Sequence, residues 1–218
     1  MNNEESTFET LIQSGIIAVL VIDSAEDAVP VAEALLAGGV DAMELTLRTP
    51  AAIDALRHIR SKVPRMLAGI GTILSPAQVT DVVEAGASFG VSPGMNPRVV
   101  EAALNLGLPF APGIITPSDI ERALEFDRKL LKFFPAETSG GLEYLKNIAA
   151  PYHHLGIAYV PLGGINEANC ATYLESNLIA GIGGSWLAPR DLIHSKSWGE
   201  ITSRAEKAIA IRNAVRGQ

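Results

Sequence analysis

Residues 42–70 read AMELTLRTPAAIDALRHIRSKVPRMLAGI. The stretch opens on a short strand-like run, Ala42–Leu47, passes through an amphipathic helical pattern at Ala51–Val63, and returns to a second apolar run at Met66–Ile70. Strand, helix, strand in that order requires parallel strands joined by a right-handed crossover. The same alternation extends outward in both directions. Strands are expected at Ile16–Ile22, Ala42–Leu47, Met66–Ile70, Ser88–Val91, Pro109–Ala111, Leu130–Phe133, Ala158–Pro161 and Ile179–Gly181. Helices are expected at Ala25–Ala37, Ala51–Val63, Pro76–Ala85, Pro97–Leu106, Pro117–Phe126, Gly141–Ala150, Glu167–Ser176 and from Gly199 to near Val215, with a short leading helix around Ser6–Gln13. Ser75-Pro76, Asn96-Pro97 and Thr116-Pro117 each set a capping side chain ahead of a proline in the first helical turn.

Eight strand–helix units are the number that closes an α/β (β/α)₈ barrel, the TIM barrel. A doubly wound open sheet is the competing architecture, which alternation alone leaves open. No linker, charge run or low-complexity stretch divides the chain, so residues 1–218 are expected to form a single barrel domain. A chain of this length buries roughly 70% of its unfolded surface, enough for a core without staples.

Apolar residues make up 48% and charged residues 19%, which excludes a disordered chain. A net charge of −7 argues against nucleic acid or an anionic membrane as partner. No apolar run is long enough to span a membrane, and the first residues, MNNEESTFET, are polar and acidic, unlike a signal peptide. The one cysteine, Cys170, excludes an intramolecular disulfide and fits a reducing cytoplasmic compartment. The four histidines show no zinc-like pairing on a helix, so no metal or other cofactor is expected.

A barrel strand is buried on both faces, so ionisable residues within one call for a reason. In Ala42–Arg48, alternation sets Met43, Leu45 and Leu47 on one face and Glu44, Thr46 and Arg48 on the other. The apolar face suits the helix layer, leaving the polar face to point into the barrel. In Leu130-Leu131-Lys132-Phe133-Phe134-Pro135 a single lysine interrupts an apolar run. A structural ion pair between Lys132 and Glu44 is one account, though buried pairs often bring no net stability over apolar replacements. The functional account makes Lys132 an amine nucleophile. An ordinary lysine, with a pKa of about 10.4, is neutral in under about one part in a thousand at pH 7. Apolar surroundings and a neighbouring cation such as Arg48 favour the neutral amine that attacks a ketone. Glu44 then moves protons, and Arg48 offers a forked donor to a substrate carboxylate.

Glycine pairs follow the last two expected strands, Gly163-Gly164 and Gly183-Gly184, the latter followed by Ser185. Loops after strands 7 and 8 form the usual phosphate cradle of this barrel, because glycine lets backbone N–H groups approach an anion. Tight-turn geometry is the alternative.

Taken together, Glu44-Leu45-Thr46-Leu47-Arg48-Thr49, Gly69-Ile70-Gly71-Thr72, Ser92-Pro93-Gly94, Lys132-Phe133-Phe134-Pro135-Ala136-Glu137 and Gly183-Gly184-Ser185-Trp186-Leu187 resemble the 2-keto-3-deoxy-6-phosphogluconate (KDPG) and 4-hydroxy-2-oxoglutarate (KHG) aldolases. The resemblance implies a metal-free class I aldolase on a (β/α)₈ barrel, assembled as a homotrimer. It assigns Lys132 as the Schiff-base lysine and Glu44 as the general acid–base. Arg48 and Thr72 would hold the pyruvyl carboxylate, Pro93 and Phe134 would pack on the pyruvyl group, and Gly163, Gly164, Gly184 and Ser185 would hold phosphate. One position departs from the pattern: Leu162 stands where the family commonly carries threonine, which is expected to alter substrate preference. The expected reaction is reversible cleavage of KDPG to pyruvate and glyceraldehyde 3-phosphate. Competing readings are a related aldolase for KHG or a galactonate-derived analogue, a non-covalent phosphosugar isomerase or epimerase with Glu44 as base, and a small-metabolite binding protein.

Overall fold

Apolar and β-branched runs become strands, and capped amphipathic segments become the helices between them, in a computed structural model that describes residues 3–217. The order is α1 (Asn3–Ser14), β1 (Ile16–Leu20), α2 (Ala28–Ala37), β2 (Ala42–Thr46), α3 (Ala52–Lys62), β3 (Leu67–Gly71), α4 (Pro76–Glu84) and β4 (Gly90–Val91). It continues with α5 (Pro97–Asn105), β5 (Phe110–Ala111), β6 (Gly113–Ile114), α6 (Pro117–Leu124), β7 (Leu130–Phe133) and α7 (Gly141–Ala149). The chain closes with β8 (Ala158–Pro161), α8 (Cys170–Leu174), β9 (Ile182–Gly184), α9 (Arg190–His194) and α10 (Trp198–Arg216). The hydroxyls of Ser75 and Thr116 accept from the N–H groups of Gln78 and Asp119, completing reciprocal capping boxes at the starts of α4 and α6.

All strand pairings between the named strands are parallel, in two sheets ordered β5-β4-β3-β2-β1-β9 and β6-β7-β8. The expected fifth strand, Pro109–Ala111, is found as β5, and a further strand, β6, follows it beyond Pro112, which has no N–H to give to a ladder. The remaining junction, between β8 and β9, is made by isolated bridges, Tyr159 with Ile179 and Leu162 with Gly183. The last strand lies at Ile182–Gly184 and not at the expected Ile179–Gly181, because pairing of Ile182, Gly183 and Gly184 with Ile16, Ile17 and Ala18 sets its register. The glycine pair Gly183-Gly184 is therefore part of the strand and does not follow it. Helix α9, absent from the sequence reading, is only slightly longer than one turn, and Arg190 and His194 on it both bond Asp23 beyond β1, holding that carboxyl down to about 2.

Two apolar layers follow from the alternation along each strand. Met43 and Leu45 face outward with Leu56 and Ile59 of α3 in the larger core. Ile17, Val91, Leu130 and Val160 face inward, with Phe89 beside them and Leu11 of α1 joining this inner cluster. Arg212 and Arg216 of α10 donate to the carbonyls of Ser14 and Ala180, at 2.7 and 3.0 Å, tying α10 to the end of α1 and to the segment just before the last strand.

Within the outer core, the Tyr159 hydroxyl is buried with no hydrogen-bond partner among the described residues, and burial pushes its pKa up to about 12. An unsatisfied buried polar group costs about 1–3 kcal/mol. Tyr159→Phe is therefore expected to raise stability by about 1 kcal/mol in urea unfolding. A loss of stability on removing the hydroxyl contradicts this.

Candidate active site

Strand β2 sets Glu44 and Thr46 on the inner face because Met43 and Leu45 are taken up by the helix layer. On β7, Leu131 and Phe133 are likewise buried in the outer core, so Lys132 projects inward. The two ionisable residues, far apart in sequence, meet across the interior. Lys132 Nζ donates to Glu44 Oε1 at 3.1 Å and lies 3.4 Å from Oε2. The residues are 5% and 2% exposed, so little bulk water competes for either charge. The ammonium also sits 5.4 Å from the centre of the Phe134 ring, an electrostatically favourable position for a cation.

Above this pair opens a cavity of about 340 Å³, lined by Lys132, Glu44, Arg48, Thr72, Pro93 and Phe134 on one part of its wall. Leu162, Gly163, Gly164, Gly184 and Ser185 line another part, so every site residue expected from the sequence faces the same space. Below the pair lies a void of about 20 Å³, walled mainly by apolar side chains including Phe8 and Leu11 of α1. The amine and carboxylate thus stand at the boundary between a polar mouth and an apolar floor.

The rim is built by strained and close-packed backbone. Thr72 follows β3 with φ +64°, a left-handed conformation that a β-branched residue adopts at a cost of about 1–3 kcal/mol. Gly163 and Gly164 turn the chain after β8 with φ +94° and +87°. A Cβ on Gly164 would lie 2.6 Å from that of Glu137, so the turn needs glycine for space as well as for φ. Among the described residues Gly164 donates its N–H to no protein acceptor, while its carbonyl accepts from the side chains of Asn166 and Asn169. With its carbonyl engaged and its amide free, Gly164 is suited to face an anion.

Three further lining residues escaped the sequence reading as site residues: Val19, Thr46 and Ile165. Thr46 carried a signal, since it shares a face with Glu44 and Arg48. Val19 and Ile165 carried none, because an apolar residue in a strand or after a turn reads as core. Among the described residues no group of three or more His, Cys, Asp or Glu is placed to hold a metal ion, and no helix is long and apolar enough to cross a membrane.

The arrangement is an amine and a carboxylate in hydrogen-bond contact beneath a cavity with a guanidinium at its rim, groups chemically able to attack a ketone and to carry protons. Comparison with known proteins agrees in fold and in extent. The family model described as KDPG and KHG aldolase matches residues 8–204. The KHG/KDPG aldolase of Escherichia coli K12 is 40% identical over 210 residues, covering 96% of this chain and 98% of that protein. The KDPG aldolase of Legionella pneumophila, solved with pyruvate captured at low pH as a covalent carbinolamine intermediate, superposes with a TM-score of 0.88 at 38% identity, over 93% of this chain and 97% of that one. The Zymomonas mobilis KDPG aldolase, solved with 3-phosphoglycerate, gives 0.86 at 35% identity, over 94% of this chain and 95% of that one. With full-length similarity at this level, the chain belongs to the KDPG and KHG aldolase family.

Proposed function

We propose that the protein is a class I aldolase that cleaves KDPG reversibly to pyruvate and glyceraldehyde 3-phosphate. The observation that carries this reading is the buried contact between Lys132 Nζ and Glu44 Oε1 at 3.1 Å, at the floor of an accessible cavity. In the reaction, Glu44 takes a proton from Nζ, and the amine attacks C2 of the keto acid to form a carbinolamine. Glu44 returns that proton to the departing hydroxyl, water leaves, and a protonated imine remains. The C4 hydroxyl then gives its proton to Glu44 as the C3–C4 bond breaks, its electrons passing into the imine to give an enamine and the free aldehyde. Protonation of the enamine at C3 and hydrolysis release pyruvate and restore the amine. Positioned acid–base catalysis of this kind contributes typically ~10²–10⁴-fold.

Arg48 and Thr72 hold the carboxylate in this reading, Pro93 and Phe134 flank the pyruvyl group, and Gly163, Gly164, Gly184 and Ser185 receive the phosphate. Their common placement around one cavity and the free amide of Gly164 support these roles. The two parallel sheets, joined through Pro112 and the Leu162–Gly183 bridge, we read as one closed (β/α)₈ barrel domain over the chain. We further propose a metal-free cytoplasmic homotrimer. Leu74, 55% exposed near the site on the segment after Thr72, is a large apolar side chain that assembly would cover.

The direct test is pyruvate release from KDPG beside release from its unphosphorylated analogue and from KHG. The glycine-lined wall with its free Gly164 amide predicts a higher kcat/KM for the phosphorylated substrate, and equal values overturn the phosphate reading. Leu162, 5% exposed, adds an apolar side chain to the cavity wall, where a threonine would offer a hydroxyl. A polar substrate group left unpaired there loses about 1–3 kcal/mol. Leu162→Thr is therefore expected to shift the ranking of kcat/KM across the panel by about tenfold or more, and an unchanged ranking rules Leu162 out as a determinant of preference.

A further inference from the structure

Thr46 is a hydroxyl buried on the inner face of β2, 4% exposed, and the aldol chemistry just described gives it no task. Its Oγ1 donates to the carbonyl of Leu20 on β1 at 3.0 Å and accepts from Arg48 Nε at 3.2 Å. A hydroxyl has one proton, and committing it to the Leu20 carbonyl leaves only lone pairs to face the arginine. The Thr46 oxygen is therefore a fixed acceptor, anchored to a neighbouring strand. Arg48 itself is exposed at the cavity rim, and among the described residues no carboxylate lies within ion-pair distance of it. A long, charged side chain in that position would otherwise sample many rotamers.

A guanidinium can grip a carboxylate side-on, through Nε and one terminal nitrogen, or end-on, through its two terminal nitrogens. With Nε already donating to Thr46, the side-on mode is blocked. We infer that Thr46 is a positioning residue for Arg48: its hydroxyl pins Nε so that only the Nη1–Nη2 edge meets the carboxylate of a 2-oxo acid. The inference rests on the aldolase reading above and adds to it a device that selects for the carboxylate beside the reacting ketone.

Reductive trapping on the intact enzyme tests this with two ketones. Pyruvate carries the carboxylate, and acetone offers the same methyl ketone without it. In Thr46→Val, which keeps shape and β-branching but removes the hydroxyl, the pyruvate concentration for half-maximal borohydride trapping rises about tenfold. The acetone dependence stays at its wild-type value. Thr46→Ser restores the pyruvate response, and in an Arg48→Ala background Thr46→Val adds nothing further. The inference is overturned if Thr46→Val shifts both ketones alike, shifts neither, or adds its full effect to Arg48→Ala. Thr46→Ala takes the place of Thr46→Val in every arm if the valine variant does not fold. A wild-type enzyme that traps no pyruvate condemns the aldolase reading itself, whereas trapping that ignores Thr46 condemns only the positioning role.

Discussion

Lys132→Ala is expected to lower kcat/KM for KDPG cleavage by at least about 10⁴-fold while the chain still folds. The magnitude follows from what is lost. Without the amine there is no imine, so the electrons of the breaking C3–C4 bond have no acceptor within the protein. Glu44 cannot substitute, because a carboxylate moves protons and does not accept a carbanion. Truncation also leaves Glu44 buried without its partner, and breaking a buried pair costs about 3–5 kcal/mol. Circular dichroism and a melting curve therefore accompany the assay. Lys132→Met, which refills the space, is expected to be as inactive as Lys132→Ala and better folded. A non-covalent isomerase or epimerase with Glu44 as base would keep measurable turnover in both variants.

The second large effect arises at a residue with no functional group. Gly71 pairs with Thr46 across β2 and β3, and a Cβ built on it would lie 1.7 Å from Glu44 Oε1, 2.5 Å from Cδ and 2.9 Å from Cγ. No rotation of the carboxylate alone relieves three such contacts, so Gly71→Ala must drive the whole Glu44 side chain from its place beside Lys132. Removing a positioned acid–base group costs typically ~10²–10⁴-fold, and kcat is expected to fall within that range. A double-mutant cycle separates this from general damage. Once Glu44→Ala has emptied the space, adding Gly71→Ala should cost little more. If the two losses multiply independently, the steric account of Gly71 is wrong.

These effects also show which features are legible in one dimension. Glu44 and Lys132 stood out because a charged residue in a strand buried on both faces contradicts its surroundings. The alternating units were legible for a different reason: capping residues ahead of proline mark where each of three helices begins. The last strand was placed three residues early because Ile-Ala-Gly-Ile-Gly-Gly has little strand preference of its own, and its register comes from pairing with β1. Strand β6, beyond Pro112, was not legible because two residues carry no periodicity and their pairing with β7 is what makes them a strand. Thr72 entered only through the family resemblance, since its left-handed backbone is imposed by the fold and a threonine in the sequence does not announce it. The demand for glycine at position 71 is subtler still, because it depends on the side chain of Glu44 lying across a strand pair.

The central claim is that one buried amine, in contact with one carboxylate, forms a covalent bond to the ketone carbon of the substrate. Borohydride reduction in the presence of pyruvate, followed by peptide mass spectrometry, tests it most directly. The account predicts a single reduced pyruvyl adduct, and on Lys132. An enzyme left unmodified under turnover conditions, or an adduct on any other lysine, contradicts it.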